Sequence, residues 1–154
     1  MRNRAKLTAI ASGFLFAFSI GAVDAHFPTT QGTTAVDPSS GSPGSSVNAS
    51  ATGAQPAGQY SVMFADPSQV MSFEQGGGQE GHKEACAHGS PIGGPYTADG
   101  KGNINPVSVT VPPSSPGRAL ICFETTNSLT KPVEFTVQGM GSPGSPPGMP
   151  GQPG

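Results

Sequence analysis

The sequence predicts an all-β chain: a small antiparallel β-sandwich or partly open barrel with one disulfide, flanked by disordered Gly/Pro/Ser-rich arms. Three observations support this. Val107, Val109 and Val111 alternate with Ser108 and Thr110, and Val133, Phe135 and Val137 alternate with Glu134, Thr136 and Gln138, the period of strands with one wet face. Other short apolar stretches are separated by turns rich in Pro and Gly, and no stretch has the pattern of a long amphipathic helix. The two cysteines, Cys86 and Cys122, read as a single bridge.

From the N-terminus, Arg2, Arg4 and Lys6 precede an uncharged run from Leu7 to Val23 that carries Phe14, Leu15, Phe16, Phe18 and Ile20. Val23-Asp24-Ala25 places small residues where a signal peptidase reads them, so residues 1–25 are expected to be an export signal. The run covers about 17 residues, and several are Gly, Ala, Ser or Thr, whereas a spanning helix needs roughly 20 mostly apolar ones. No second apolar run follows. The expectation is therefore a secreted or periplasmic protein with no transmembrane anchor after signal removal.

Removing Arg2, Arg4, Lys6 and Asp24 from the seven basic and nine acidic residues leaves four and eight, a formal charge of −4 where the whole chain has −2. Lys83, Lys101, Arg118 and Lys131 lie far apart in sequence, so the pattern speaks against a nucleic-acid partner and against anionic membrane surfaces.

Residues 26–58 are almost entirely Thr, Ser, Gly, Pro, Ala and Gln, which offer little apolar burial to offset the entropy of ordering them. They are expected to form a flexible N-terminal arm, and residues 140–154 a Gly/Pro-rich C-terminal tail whose spacing is too irregular for collagen. The folded domain is then 59–139.

Within it, Gln59 to Ala65 places Tyr60, Val62 and Phe64 on one face of a first strand. Asp66-Pro67 reads as a turn, followed by a second short strand from Val70 to Phe73. Gln75 to Lys101 is a long polar insertion, and Gly76-Gly77-Gly78 and Gly81 disfavour a helix there even though Glu80 and Glu84 are four apart. Ala119-Leu120-Ile121-Cys122-Phe123 is apolar without a break, as in a strand covered on both faces or lying at the centre of a sheet. It should form an antiparallel hairpin with 133–139, leaving Glu124 and Glu134 as solvent-facing charges.

A core this small is marginal and calls for a staple. Closing the Cys86–Cys122 loop would stabilise by about 3–4 kcal/mol in the loop-entropy treatment. The spacing is that of neither a CxxC redox pair nor a haem attachment, and Cys122 is followed by no later histidine, as a blue-copper ligand set would require. No Gly-x-Ser-x-Gly elbow occurs.

The candidate metal ligands are the three histidines His26, His82 and His88. Signal cleavage after Ala25 would make His26 the first mature residue, whose amine and imidazole chelate copper well. In these residues the chain resembles the secreted histidine-brace copper proteins. The resemblance implies a copper cofactor held by His26 with His82 or His88, and Tyr60 or Tyr96 near an axial position. A terminal histidine ahead of a flexible arm, and the lack of any Trp, fit copper binding or delivery better than polymer cleavage. The leading expectation is different: no catalysis, but a structural or interaction module of a cell-surface, envelope or extracellular assembly. Its partner would be a protein or an envelope or matrix component, with self-association included.

Overall fold

The computed structural model of the chain describes residues 29–139. The expected signal 1–25, His26 and the expected tail 140–154 lie outside the described residues. The elements are β1 (Thr29–Asp37), β2 (Ser40–Gly41), β3 (Ser46–Thr52), β4 (Gln59–Ala65), α1 (Pro67–Glu74), α2 (Gly78–Ala87), β5 (Ser90–Thr97), β6 (Ile104–Thr110), β7 (Gly117–Glu124), β8 (Ser128–Lys131) and β9 (Val133–Val137). The strands form one nine-stranded sheet in the order β2-β9-β7-β8-β1-β3-β6, with β4 joining β7 to β5. Pairing is mostly antiparallel, but β1 runs parallel to β8 and β2 parallel to β9, so the topology is mixed.

The expected strands at the centre are present. Ser61–Ala65 of β4 pairs antiparallel with Leu120–Glu124 of β7, and Gly117–Ile121 pairs antiparallel with Val133–Val137 of β9, the expected hairpin. The unbroken apolar run in β7 reflects both of its expected causes. Ala119, Ile121 and Phe123 point into the main core with Tyr60, Val62, Phe64, Phe135 and Val137, while Leu120 faces the other way, against Ala65, Val70 and Ala85. A strand between two neighbours and two apolar layers has no wet face to mark with a polar residue.

Over the described residues 29–58 the expectation of a flexible arm is corrected. β1 and β3 lie inside it and pair antiparallel from Thr33↔Thr52 to Asp37↔Asn48, and β3 pairs onward with β6. β3 buries Val47, Ala49 and Ala51 at alternate positions, opposite Asn48 and Ser50. Small residues satisfy the period of two as well as large ones do. They enter one cluster with Tyr60, Phe64, Phe123 and Phe135, where small side chains fill the space that the rings leave. Gly32 sits at the irregularity between Thr30 and Thr33 with φ of 89°, where an added Cβ would meet the backbone of Thr52 and Ala54.

Two helices replace expected strand and loop. Val70–Phe73 belongs to α1, because Asp66-Pro67 is a helix start. The Asp66 carboxylate accepts from the backbone N–H groups of Ser68 (2.9 Å) and Gln69 (3.0 Å), while Gln69 Oε1 accepts from the Asp66 N–H at 3.1 Å. Together these form a reciprocal capping box with Pro at the first helical position. α2 occupies the expected loop despite its glycines. Gly81 is buried against α1, and a Cβ there would collide with the Phe73 carbonyl oxygen, so the residue that lowers helix propensity also permits the close helix contact. No helix among the described residues is long and apolar enough to cross a membrane.

Candidate functional site

The two helices cover the outer face of β4 and β7 over only part of its length. Cys86 of α2 is bonded to Cys122 of β7, with Cα atoms 6.3 Å apart, and both are fully buried beside Met63. Beyond this staple the outer face is open. It forms a groove of about 520 Å³ lined by Gln59, Ser61 and Met63 of β4, Pro91 and Pro95 of β5, and Glu124, Thr125 and Thr126 at the end of β7.

Alternation in β4 makes this surface. With Tyr60, Val62 and Phe64 pointing inward, Ser61 and Met63 must point outward. Ser61 is the cross-strand partner of Glu124, and Met63 that of Cys122. Glu124 is half-buried, and burial pushes its carboxyl above the ordinary range, opposed by the nearby His88. Among the described residues it makes no ion pair, whereas Glu134 is exposed and accepts from Arg118 Nη1 at 3.0 Å. The reading of both as solvent-facing charges therefore holds for Glu134 and not for Glu124.

His82 of α2 and His88, the residue that caps its C-terminus, have separate partners. His82 Nε2 lies 2.7 Å from Glu74 Oε1, and Glu74 also pairs with Arg118. The bond from His82 is the main reason the Glu74 carboxyl is held below the ordinary range, with Arg118 adding to it. His88 is exposed and stacks on Phe73, with ring centroids 5.4 Å apart and planes 2° from parallel. His26 lies outside the described residues. No group of three or more His, Cys, Asp or Glu that could hold a metal ion occurs among the described residues. Tyr60, expected as one possible axial residue, is fully buried, and its hydroxyl accepts from the Gln55 N–H at 2.9 Å. Tyr96 is half-buried.

Cys86, Cys122 and the histidines stand out in the sequence, whereas Gln59, Ser61, Pro91, Pro95, Thr125 and Thr126 do not. Their only sequence signal is position: polar residues out of phase with the apolar face of β4, and prolines in a segment read as loop. In comparisons with known proteins the chain matches no family model, no curated protein and no solved structure.

Proposed function

We propose that the chain is an exported, non-catalytic interaction module of a cell-surface, envelope or extracellular assembly, and that the groove beside the disulfide is its contact face. The supporting observation is Glu124, a half-buried carboxyl at the groove's end that makes no ion pair among the described residues. Such a group is costly to ionise alone and gains from a basic or hydrogen-bond-donating group brought by a partner. The sheet edges suit this role less. β5 pairs only with β4 and carries Pro91 and Pro95, and β6 pairs only with β3 and carries Pro106, so neither edge presents a full row of backbone donors for strand addition.

Pull-down from the secreted fraction, together with size measurement of the purified mature chain, tests the proposal. A partner retained by the native protein and lost in Glu124→Lys, with thermal stability unchanged, is the expected result. A solitary monomer with a turnover rate would overturn it.

Copper binding is a second proposal. It rests on His26 as mature terminus and on His88, whose exposed ring has no hydrogen-bonding partner among the described residues, whereas His82 is held by Glu74. Intact-mass analysis should then give a chain beginning at His26, with a nitrogen-rich Cu(II) spectrum lost in His26→Ala.

A further inference from the structure

The four Lys and Arg side chains of the described residues are dispersed in sequence, yet the fold brings two of them to one place. Lys83 of α2 and Lys131 at the end of β8 line a single pocket of about 120 Å³ with Gln79, His82 and Pro132. Its nearby carboxylates are already engaged. Glu74 is bonded to His82 and Arg118, and Glu80 accepts from Lys83 Nζ at 2.9 Å. Lys131 is exposed and makes no ion pair among the described residues. In a chain whose net charge is −2, Lys83, Lys131, His82 and Gln79 thus line one small concavity, with Lys83 paired to Glu80 and His82 to Glu74 at its rim.

We propose that this pocket binds one tetrahedral oxyanion, a phosphate or sulfate group, either as the free ion or as the terminal ester of a larger molecule. Ammonium groups bind such ions as point charges that need no fixed planar geometry. The Gln79 amide adds a neutral donor, and Pro132 closes one wall without competing for the anion. A cavity of about 120 Å³ leaves room for one such group. Two lysines fall far short of the basic track that a nucleic acid requires. The site is separate from the groove at Glu124, with which it shares no lining residue.

The test is amide NMR on the folded mature chain, titrated in separate arms with inorganic phosphate, inorganic sulfate, methyl phosphate and methyl sulfate, with chloride at matched ionic strength as control. Saturating shifts confined to Gln79, Lys83 and Lys131 are expected, and Lys131→Met should weaken binding at least tenfold with unchanged thermal stability. Glu80→Gln should tighten it several-fold by releasing Lys83. Methyl esters binding as well as the free ions identify an ester-borne group, and binding of the ions alone identifies a free-anion site. Shifts that do not saturate, a response equal to that of chloride, or binding indifferent to Lys131→Met would overturn the proposal.

Discussion

Cys86, in the last turn of α2, is disulfide-bonded to Cys122 in the central strand β7, joining the helical layer to the sheet at a point where neither sulfur is exposed. The bridge closes a separation of 36 residues that contains the last residue of α2, β5, β6 and the first part of β7. The double variant Cys86→Ala/Cys122→Ala should lose about 3–4 kcal/mol by the loop-entropy treatment. Chemical denaturation of the variant and the oxidised protein gives the difference directly. A loss under about 1 kcal/mol would mean that the reduced chain is already restrained elsewhere.

The strands ahead of Gln59 are part of the core and not a detachable arm. A chain beginning at Gln59 removes Val47, Ala49 and Ala51 from the main cluster and leaves β6 without its partner β3. Such a chain should fail to fold, giving collapsed amide dispersion in its NMR spectrum, whereas a chain beginning at Pro28 should retain the native spectrum.

Gly81→Ala sets two effects against each other. Helix propensity favours alanine by about 1 kcal/mol in an exposed helix interior. Gly81 is buried, however, and its added Cβ would meet the Phe73 carbonyl carbon and oxygen, backbone atoms that cannot swing aside. Overpacking of this kind costs about 1–3 kcal/mol, so the substitution should destabilise. A raised melting temperature would show that α1 and α2 can separate without cost.

Thr34 Oγ1 and Thr130 Oγ1 lie 2.5 Å apart in the interior, and Thr130 Oγ1 also accepts from the Phe123 N–H at 2.9 Å. One hydroxyl therefore ties β1, β7 and β8 together. Thr130→Val keeps the shape but leaves a buried backbone donor and the Thr34 hydroxyl without that partner, at a cost of about 1–3 kcal/mol. Thr130→Ser should recover most of the loss in the same denaturation assay.

The acid limb of stability depends on carboxyls with opposite shifts. Glu74 is held low by His82 and Arg118, and Asp66 by the Ser68 hydroxyl and the first amides of α1. A carboxyl lowered in the fold stabilises above its unfolded pKa, and that contribution is lost as pH falls through the folded value. Glu124 is raised, so its ionisation disfavours the fold at neutral pH and protonation relieves the cost. Glu74→Gln should therefore lower the denaturation midpoint at pH 7, with the difference shrinking as pH falls below the ordinary carboxylate range and vanishing only below the lowered folded value. Glu124→Gln should raise the midpoint or leave it unchanged at pH 7, and the variant should converge with the native protein in acid.

The β class, the central strands and the disulfide are legible in local order. Tyr60-Ser61-Val62-Met63-Phe64, the apolar run through Phe123 and the alternation at Val133–Val137 each carry their burial pattern in local order, and two cysteines allow one pairing. The other elements depend on packing between distant segments. Ala49 and Ala51 are core residues only because β3 is pressed against larger side chains from strands that follow it, so composition alone made their segment look like a linker. α2 forms where its own propensity is poor, because burying Ala85 and Cys86 and fitting Gly81 beneath Phe73 offset the glycines. The same holds for function. The groove at Glu124 and the pocket between Lys83 and Lys131 join residues from separate strands and helices, and such convergence is a property of packing that no local sequence pattern encodes.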